Sequence, residues 1–519
     1  MCPHSRGCYD SAVSEEKLKR EIARVQQGHV RYREKLRAEG KLFVRERLKI
    51  LLDPGSEFQE DWLLARSNEA ETPADGVVTG VGTIHGRPVC IMANDYTVKA
   101  GSWGEKTVRK IVRIQEKAAR LQVPLLYLVD AAGGRISEQI RIFPGREHAG
   151  RIFYNEVLLS GVVPQICILF GPSPAGSAYL PALTDVVIMV DGKASMYVGS
   201  PRMVEMAIGE KVDQEALGGA RMHCEESGCG DILVGSDEEA IEVAKRYLAY
   251  MPQSQREGVR RVDACEPKAG RSIDEIVPYD QRKYFDMYEV IDRIIDAGSW
   301  LELKALFARE VITGLARLGG RAVGIVANQP KVKGGVLFVD SSDKAARFLW
   351  LCNAYNLPIV YLADVSGFMV GSKVERAGII RHGAKMIFAT SQATVPKISV
   401  IVRKCYGAGL YAMCGQAFEP DAVLALPQAQ IAIMGPEPAI NAVYYNRIME
   451  LEGEARAEFV KQKRQEYQQD IDIYRLASEM LVDDVVPPSS LRAELIKRLA
   501  YANTKQQRFP PRRNGVYPV

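Results

Sequence analysis

Long apolar runs and an excess of charge of one sign are both missing from this 519-residue sequence. No stretch approaches the roughly 20 consecutive apolar residues that a membrane-spanning helix needs. The 68 basic and 64 acidic side chains nearly balance, at a net charge of +4, which does not favour nucleic acid as a partner. The first residues are polar and charged, without the apolar core of a secretory signal. We therefore expect a cytoplasmic protein, or a mitochondrial-matrix protein in a eukaryote, with no membrane and no nucleic-acid partner.

Paired cysteines at metal-binding spacing are also absent. The ten cysteines lie partly in apolar, strand-like segments, which suits a reducing compartment. Two short segments combine histidine with cysteine, but neither has the Cys-x-x-Cys spacing of a zinc site. Free thiols are the favoured interpretation of both segments, and we expect no metal. The residues concerned are Cys2, His4 and Cys8 in the first segment and His223, Cys224 and Cys229 in the second.

The common motifs of side-chain catalysis are missing as well. The segment Gly171–Ala175 does not match the G-x-S-x-G pattern of a serine nucleophile. There is no G-x-x-x-x-G-K-[ST] phosphate loop and no dinucleotide-binding fingerprint. His382 is better explained as a packed histidine on a helix than as a catalytic base. The sequence therefore points away from a reaction that uses a protein nucleophile.

What is present is a small-residue turn between Arg403 and Met413. It follows the β-branched run Ile398–Val402, which predicts a buried strand, and Leu410–Met413 can begin a helix. A strand that enters a helix through Ala408-Gly409 leaves backbone N–H groups unpaired, and such groups can hold an oxyanion. Taken alone, a small-residue turn of this kind is more often purely structural.

A second copy of the turn strengthens the functional interpretation. Pro164–Phe170 predicts another strand, and it leads into the small residues of Gly171–Tyr179. Ala175-Gly176 matches Ala408-Gly409 at a distance of 233 positions (408 − 175). The sequence thus predicts two backbone N–H pockets, one in each half of the chain.

The repeat extends well beyond the two turns. Gly86–Asn94 resembles Gly320–Asn328, and Pro124–Asp130 resembles Pro358–Asp364, both at a distance of 234 positions (320 − 86 and 364 − 130). A period of this length is far too long for a solenoid. We infer the duplication of one α/β domain.

The boundary between the copies falls in a polar, irregular stretch from Ser254 to Arg282. We therefore predict an N-terminal domain of residues 1–263 and a C-terminal domain of residues 264–519. In the first copy, Gly133-Gly134 follows a predicted strand, at the place where ligands enter open α/β structures. A plain turn is an equally good explanation of that pair.

Several helices are predicted outside the repeated strands. The helix at 107–121 is rich in lysine and arginine, which indicates a solvated outer face. The tail at 508–513 is basic and is predicted to be extended. The predicted helices cover residues 14–37, 40–55 (ended by Pro54-Gly55), 107–121, 284–297 and 448–480.

Several longer motifs carry a resemblance that covers the chain from about residue 15 to its end. They are Arg45–Arg47 with Leu51–Gly55, Asp213–Ala220, Gly378–Lys385, Thr394–Lys397 and Arg403–Met413. These motifs resemble the carboxyltransferase (β) subunit of biotin-dependent acyl-CoA carboxylases. The resemblance implies two tandem crotonase-like domains of the α/β class, which agrees with the repeat.

The resemblance also implies roles for the two turns. Acyl-CoA would bind the N-terminal domain, with the N–H groups of Ala175 and Gly176 on the thioester enolate oxygen and Gly133-Gly134 lining the CoA site. Carboxybiotin would bind the C-terminal domain of a neighbouring subunit in a homo-hexamer. There the N–H groups of Ala408 and Gly409 would hold the ureido oxygen of biotin.

Two parts of a complete carboxylase are missing from the chain. It has no Ala/Val-Met-Lys-Met biotin acceptor motif and no recognisable ATP-binding carboxylase domain. The resemblance therefore implies partners that supply both, a biotin carboxylase and a biotin carboxyl carrier subunit. Biotin would act as carboxybiotin on that carrier, and acyl-CoA would be the substrate.

The acyl group is less well specified. Asn94–Gly101 and Phe143–Asn155 resemble the methylcrotonyl-CoA branch of the family, and so does Tyr411, where the propionyl-CoA branch has Asp. Gly378–Lys404, in contrast, resembles the propionyl-CoA branch. Two other functions remain open: the carboxyltransferase (alpha) subunit of a sodium-pumping decarboxylase with membrane partners, and a non-enzymatic scaffold.

Overall fold

The computed structural model describes residues 7–507, 510 and 515–518, with side chains from residue 14 onward. The chain forms two compact units, Met1–Glu257 and Gly258–Val519. The predicted domain boundary lies six residues later (263 against 257), and the ranges 1–263 and 264–519 stay a prediction for the functional domains. The predicted cysteine and histidine group at residues 2–8 falls outside the described side chains. Apart from Pro510, the predicted extended tail at 508–513 also lies outside the described residues.

The first unit is built on a seven-stranded sheet in the order β1-β2-β3-β4-β5-β7-β9, and a separate pair joins β6 to β8. Its strands are β1 (Gln59–Asp61), β2 (Val77–Ile84), β3 (Arg87–Asn94), β4 (Leu125–Val129), β5 (Gln165–Leu169), β6 (Pro172–Pro174), β7 (Val186–Val190), β8 (Ser195–Tyr197) and β9 (Ile232–Val234). Its helices are α1 (Gly7–Gln27), α2 (Val30–Ala38), α3 (Val44–Leu51), α4 (Glu105–Leu121), α5 (Gln139–Ile142), α6 (Ala149–Leu159), α7 (Tyr179–Leu183), α8 (Pro201–Ile208), α9 (Gln214–Gly218), α10 (Ala220–Met222) and α11 (Asp237–Tyr250).

The second unit has a sheet in the order β10-β11-β12-β13-β14-β15-β17, with β16 paired to the end of β14. Its strands are β10 (Leu301–Glu302), β11 (Val311–Leu318), β12 (Arg321–Asn328), β13 (Ile359–Val365), β14 (Lys397–Tyr406), β15 (Ala422–Ala425), β16 (Gln430–Ala432) and β17 (Asp484–Val485). Its helices are α12 (Ile273–Ile276), α13 (Met287–Ile294), α14 (Val339–Ala354), α15 (Ser372–Arg376), α16 (Ile379–Gln392), α17 (Ala408–Ala412), α18 (Pro436–Glu450), α19 (Gly453–Asp470), α20 (Ile473–Ser478) and α21 (Leu491–Tyr501).

The two units repeat one topology. In each sheet the first three strands are antiparallel and the following ones are parallel. The central hairpins even share a register, with Val77 opposite Asn94 in the first unit and Val311 opposite Asn328 in the second. The α/β duplication inferred from the sequence is therefore present in the fold.

The cores lie along the parallel strands. All five residues of β4 and all seven of β13 are buried, as expected for strands covered on both faces. Their short, continuous apolar runs are typical of strands that are buried on both faces. This burial fixes the carboxyl ends of the strands, where the small-residue turns begin.

Each unit buries one lysine on the helix that follows its central hairpin. Lys110 of α4 donates to the carbonyl oxygens of Ala74 and Val77, and Lys344 of α14 donates to those of Lys304 and Phe307. Burial lowers the pKa of each ammonium group to about 8. The two lysines are equivalent in the repeat, 234 positions apart (344 − 110).

Three predicted helices need correction. The one at 14–37 is interrupted at Gly28, whose φ of +61° is left-handed, and a Cβ there would lie 2.8 Å from Thr97 Oγ1. The one at 448–480 is wrong, since α18, α19 and α20 divide this stretch, and the carboxylate of Asp472 caps the start of α20. The segment at 40–55 is helical only in its middle, as α3. These breaks were not predicted because the residues around them are polar and favour helices.

No helix within the described ranges is both long and apolar enough to cross a bilayer.

Candidate functional site

The C-terminal turn lies at the end of the longest strand of the second unit. β14 continues to Tyr406, beyond the predicted end at Val402, and α17 begins at Ala408. Gly407, between them, has a φ of +55° and donates its N–H to the carbonyl of Ala432 at 2.9 Å. The N–H groups of Ala408 and Gly409 have no acceptor among the described residues, as expected for the start of a helix.

Gly409 is required by packing. A Cβ at this position would lie 3.0 Å from Val365 Cγ1 and 3.1 Å from the Cα of Gly367. The turn therefore sits directly on the loop that follows β13. Ala408, in contrast, is exposed.

The N-terminal turn also leaves two N–H groups without an acceptor among the described residues, but its backbone conformation is different. β6 ends at Pro174, and a single 3-10 turn from Ala175 to Ala178 precedes α7. Here the left-handed residue is Ala175 itself, with a φ of +53°. Ala175 and Gly176 are both exposed, and their N–H groups have no acceptor in the part of the chain that the structure describes.

The predicted glycine loop lies beside this N-terminal turn. A Cβ on Gly133 would lie 3.3 Å from Pro174 Cγ, and Ala131 donates its N–H to the carbonyl of Pro172 at 2.9 Å. Trp103 bridges the loop: its N–H donates to the Gly133 carbonyl at 2.8 Å, and its own carbonyl accepts from Arg135 at 2.9 Å. The first unit thus brings Gly133, Gly134, Ala175 and Gly176 together along one edge.

An equivalent loop in the second unit was missed by the sequence reasoning. Leu337 donates to the Gly367 carbonyl at 3.1 Å and accepts from the N–H of Met369 at 2.8 Å. Gly367 and Leu337 follow Gly133 and Trp103 by 234 positions (367 − 133 and 337 − 103). The repeat distance was the signal that would have identified this loop.

A buried carboxylate anchors the strand end before each loop. Asp130 accepts hydrogen bonds from Lys41 at 3.1 Å and Arg47 at 3.2 Å, and Asp364 accepts one from Arg403 at 2.8 Å. All these side chains are nearly or fully buried. A buried ion pair that keeps both partners fixes geometry, and its loss leaves one charge uncompensated.

A cavity of about 670 Å³ opens beside the C-terminal turn. Its walls come from the segment before α13, the ends of β13 and β14, and the α18 and α19 region. Ser366, Lys404 and Tyr406 line it, next to the residues that form the turn. The cavity residues are Tyr279, Asp280, Gln281, Arg282, Ser366, Lys404, Tyr406, Gln430, Met434, Gly435, Pro436, Glu437, Pro438, Arg464 and Gln468.

Lys404 is the cation of this cavity that forms no ion pair among the described residues. Arg282 pairs with Asp280 at 3.0 Å and Arg464 with Glu437 at 2.5 Å. Lys404 has no acidic partner within the described residues, and burial lowers the pKa of its ammonium group. Sequence reasoning missed this residue because the absence of a partner is not visible in the chain.

Tyr411 lies on α17, three positions after Ala408. Its ring packs on Phe418 with 5.6 Å between the centroids. The side chain is 48% exposed, which rules out the alternative of a core aromatic. Tyr411 therefore presents a ring near the turn.

The two histidine candidates have ordinary polar partners. Nδ1 of His223 lies 2.8 Å from Ser227 Oγ, and its Nε2 lies 2.7 Å from the Met196 carbonyl. Nδ1 of His382 lies 2.8 Å from a carboxylate oxygen of Asp343. Within the described residues, no group of three or more His, Cys, Asp or Glu side chains is arranged to hold a metal ion.

Comparison with known proteins covers nearly the whole chain. The model of the carboxyl transferase domain matches residues 35–517. An uncharacterized carboxylase of Bacillus subtilis (strain 168) is 61% identical over 493 residues, which span 95% of this chain and 96% of that protein. The methylmalonyl-CoA carboxyltransferase 12S subunit of Propionibacterium freudenreichii subsp. shermanii is 42% identical over 495 residues, 93% of each chain. The methylmalonyl-CoA decarboxylase subunit alpha of Propionigenium modestum is 36% identical over 502 residues, 95% of this chain and 96% of that one.

A solved structure gives the same result for the fold. The transcarboxylase 12S crystal structure, a hexamer with methylmalonyl-CoA and methylmalonic acid bound, matches with a TM-score of 0.92 at 40% identity. The match covers 97% of this chain and 98% of that one. The predicted fold class, two crotonase-like α/β domains in tandem, is confirmed.

Proposed function

Because the chain belongs to the carboxyltransferase family of biotin-dependent acyl-CoA carboxylases and decarboxylases, we propose that it transfers CO2 from carboxybiotin on a partner subunit to a short acyl-CoA. The chain is thus an enzyme subunit, which removes the scaffold alternative. The observation that carries the proposal is the duplicated turn, in which two N–H groups of each unit have no acceptor among the described residues. Residues 1–263 would hold the acyl-CoA and residues 264–519 the carboxybiotin.

In the N-terminal domain the backbone stabilises developing negative charge. Removal of the α-proton of a saturated acyl group, or of the γ-proton of an α,β-unsaturated one, places negative charge on the thioester oxygen of the acyl-CoA. The N–H groups of Ala175 and Gly176 would donate to that oxygen, while Gly133-Gly134 lets the substrate approach the backbone closely. Removing one such donor typically costs about 2.7–4 kcal/mol of barrier.

In the C-terminal domain the exposed turn fits the ureido group of biotin. Two unpaired N–H groups at Ala408 and Gly409 match one carbonyl oxygen that gains negative charge. When bound, carboxybiotin supplies the CO2 and, once the CO2 has left, a basic ureido group. Lys404, without an acidic partner in its cavity, would attract the carboxylate before transfer.

We propose a branched or unsaturated short acyl group, of the methylcrotonyl-CoA type. The motifs at 94–101 and 143–155 and the exposed ring of Tyr411 support this choice. The relatives named for methylmalonyl-CoA make propionyl-CoA the main competitor. Both substrates have an acidic proton that the same N–H pocket would serve.

The test is purification of the native complex followed by a carboxylation screen. The chain should co-purify with a biotin carboxylase and a biotin carboxyl carrier, and the complex should carboxylate methylcrotonyl-CoA or propionyl-CoA with consumption of ATP. The chain by itself should carry no biotin in intact-mass measurements and on an avidin blot. A complex that carboxylates none of the acyl-CoAs, or a biotin adduct on this chain, would contradict the proposal.

A homo-hexamer is the proposed assembly, supported by the hexamer in the transcarboxylase 12S structure. Native mass spectrometry of the purified chain tests it directly. A stable monomer at working concentration would contradict it.

The second candidate is the alpha subunit of a decarboxylase that runs the same chemistry in reverse. The 36% identity to such a subunit from Propionigenium modestum favours it. Co-purification with an integral membrane subunit, in place of a biotin carboxylase, would identify this alternative.

A further inference from the structure

The histidine and cysteine segment after α10 is not used by the reaction described above. The chain makes one π-helical turn there, from His223 to Ser227, and Gly228, with a φ of +66°, ends it. Turns of this kind are rare and occur frequently at functional sites. Cys229 follows directly and is exposed, whereas Cys224 is buried. The turn therefore presents one thiol at the surface.

The hydrogen bonds of His223 define its tautomer. Its Nε2 lies 2.7 Å from the carbonyl oxygen of Met196, which can only accept, so Nε2 carries a proton. Nδ1 of the neutral ring therefore keeps a lone pair, and Ser227 Oγ lies 2.8 Å from it. The same hydroxyl oxygen accepts the N–H of Cys229 at 3.3 Å. Ser227 thus holds the backbone of Cys229 close to the ring.

The side chain of Cys229 completes the cluster. Its thiol hydrogen-bonds to the imidazole of His223. Burial lowers the pKa of this imidazole, but its hydrogen bonds to Cys229 and to the Met196 carbonyl raise that pKa above its ordinary value overall. An imidazole that keeps a lone pair can take the proton of a thiol, and the thiolate is the nucleophilic form of cysteine. The cluster is therefore arranged to activate a surface thiol.

His223 also connects this thiol to the N-terminal turn. Met196, whose carbonyl the ring holds, lies in β8, and β8 pairs with β6 so that Tyr197 is opposite Pro174. Pro174 is the residue directly before Ala175. A hydrogen bond from the ring thus supports the strand pair that carries the N–H donors of the turn.

The equivalent place in the second unit holds a leucine. In the first unit the N–H of His223 donates to the carbonyl of Gly219 at 3.2 Å. In the second unit Leu476 makes the same contact with Asp472 at 3.0 Å, and Gly219 and Asp472 each bridge to the equivalent strand, β8 or β16. The histidine and thiol pair therefore belongs to the half with the proposed acyl-CoA site.

We propose that Cys229 is a site of reversible oxidation by hydrogen peroxide, activated by His223, and that its modification disturbs the N-terminal turn. The effect on activity rests on the proposed function, but the modification itself does not. Cys229 touches neither of the two turns, so it would regulate the reaction without taking part in it.

The oxidation takes place at the sulfur atom. The thiolate attacks one peroxide oxygen, an S–O bond forms and the O–O bond breaks. The leaving hydroxide takes the proton from Nδ1 and becomes water, so that sulfur is oxidised to a sulfenic acid and the peroxide is reduced. A small thiol such as glutathione then attacks the sulfenic sulfur, an S–S bond forms and water leaves. The ring of His223 is only 9% exposed, so the mixed disulfide has no room beside it and must displace the turn.

Dimedone labelling of the assembled protein after brief peroxide treatment tests the modification without any catalysis. Cys265 is exposed as well and is the internal control, because its thiol has no histidine partner among the described residues. A thiol without such a partner is only a few per cent thiolate at pH 7, so we expect Cys229 to be labelled about tenfold or more faster than Cys265. Peptide mass spectrometry provides the measurement. Equal labelling of the two cysteines in the parent protein would overturn the proposal.

A variant of the histidine tests its part in the activation. His223→Gln keeps an N–H group that can reach the Met196 carbonyl but has no basic nitrogen. In assembled His223→Gln protein, Cys229 should be labelled no faster than about the rate of Cys265. Undiminished labelling of Cys229 in that variant would overturn the activation by His223. The comparison of the two cysteines within the parent does not depend on the folding of any variant.

Carboxylation assays test the consequence for the turn. When the assembled chain is treated with peroxide and glutathione before the partner subunits are added, activity should fall about tenfold or more, since a small displacement of a positioned group can cost 10²-fold. Reduction with dithiothreitol should restore it. Cys229→Ser should keep the parental activity and resist the treatment, whereas Cys265→Ser should respond like the parent.

Two further outcomes separate the regulation from the proposed function. Inactivation of Cys229→Ser at the parental rate would overturn the link between this thiol and the turn. Selective labelling of Cys229 in a complex that carboxylates no acyl-CoA would overturn the proposed function and leave the modification site intact.

Discussion

Each unit contains a buried cluster of an aspartate, an arginine and a phenylalanine ring, but the arginine and the phenylalanine come from different elements in the two units. In the first unit Asp130 pairs with Arg47 of α3, whose guanidinium lies 4.1 Å from the ring centroid of Phe170 at the end of β5. In the second unit Asp364 pairs with Arg403 of β14, which lies 5.0 Å from the ring centroid of Phe285, just before α13. Phe170 and Arg403 occupy equivalent positions, 233 apart (403 − 170). Arginine and phenylalanine have thus exchanged elements, while the contact among Asp, Arg and ring is kept.

This exchange shows that the two units keep the contacts at their strand ends but differ in the surfaces that face ligands. The contacts that hold the strand ends are preserved even when the residues that make them move. The surfaces that face ligands differ: Lys404 of the second unit corresponds to Gly171 of the first, 233 positions earlier. A Cβ at Gly171 would lie 1.9 Å from Asp130 Oδ1, so the first unit has no room for that cation. The two units therefore share their buried framework, and they differ at individual residues that face the proposed ligand sites.

The largest expected effect comes from removing one N–H donor in either half. Ala408→Pro deletes a donor at the first residue of α17, where proline is well tolerated, and Gly176→Pro does so in the other turn. Each should lower carboxyl transfer by about 10²–10³-fold. Acyl-CoA affinity should be nearly unchanged in Ala408→Pro. Carboxylation assays and titration calorimetry on the assembled complex provide the measurement.

The controls for these variants keep the N–H group. Ala408→Gly and Gly176→Ala should retain most of the activity, because an added Cβ at Gly176 meets no atom within 4 Å. If well-assembled Ala408→Pro protein transfers CO2 at the parental rate, the C-terminal pocket does not act as proposed.

Replacing Lys404 should have the next largest effect. Lys404→Met should raise KM for carboxybiotin on the carrier subunit about tenfold or more, because a charge-assisted contact of about 1.5–3 kcal/mol to its carboxylate is lost. Lys404→Arg should recover much of the affinity. The advantage of the parent over Lys404→Met should shrink at high pH, as the ammonium group with its lowered pKa loses its proton. A pH-independent ratio between parent and variant would contradict the role.

A smaller effect is expected from the exposed ring on α17. Tyr411→Asp should shift relative kcat/KM toward short saturated acyl-CoAs by roughly 10-fold, within the range that pocket shape alone provides. Parallel assays with methylcrotonyl-CoA and propionyl-CoA measure the shift, and Tyr411→Phe serves as the control that keeps the ring. An unchanged ranking of the two substrates would remove Tyr411 from the acyl site.

The smallest expected effect is on the melting temperature, and we expect it to depend on pH for a variant in the first unit but not for its control in the second. Glu156 of α6 is fully buried, both its carboxyl oxygens have no partner among the described residues, and burial raises its pKa well above the ordinary value. The neutral carboxyl group of Glu156 therefore contributes fully to stability below the pKa that it has in the unfolded chain. This contribution is lost as the pH rises toward the higher pKa of the folded protein. Glu156→Gln should leave the melting temperature nearly unchanged at pH 5 and raise it by about 2–4 °C at pH 8.

The control for this stability prediction is in the other unit. Gln165 donates to the carbonyl of Glu156, and Lys397 donates to that of Thr390, so the two helices carry equivalent contacts. Thr390→Ser should show no comparable change between the two pH values. A pH-independent gain in Glu156→Gln would show that the carboxyl group is not neutral in the folded protein.

Local and repetitive features were readable from the sequence, and nonlocal ones were not. The offset of 233–234 positions located both turns, because a duplication copies strand ends and turns together. The contact of His223 with the Met196 carbonyl was missed, since it depends on how the turn after α10 packs on β8. The role of Lys404 was missed for the same reason: only three-dimensional neighbours reveal that its ammonium group forms no ion pair with a carboxylate among the described residues. The break before Gly453 was missed because its charged surroundings favour a helix.

The two equivalent buried lysines can report when the structure around each of them opens locally. Lys110 and Lys344 are only 3% and 2% exposed, and each ammonium group donates to buried backbone carbonyl oxygens. An amine-acylating reagent can modify them only while the surrounding backbone is open. Because one lysine lies in each half, brief acylation followed by peptide mass spectrometry would time the opening of the two halves separately, within one chain and without any added probe.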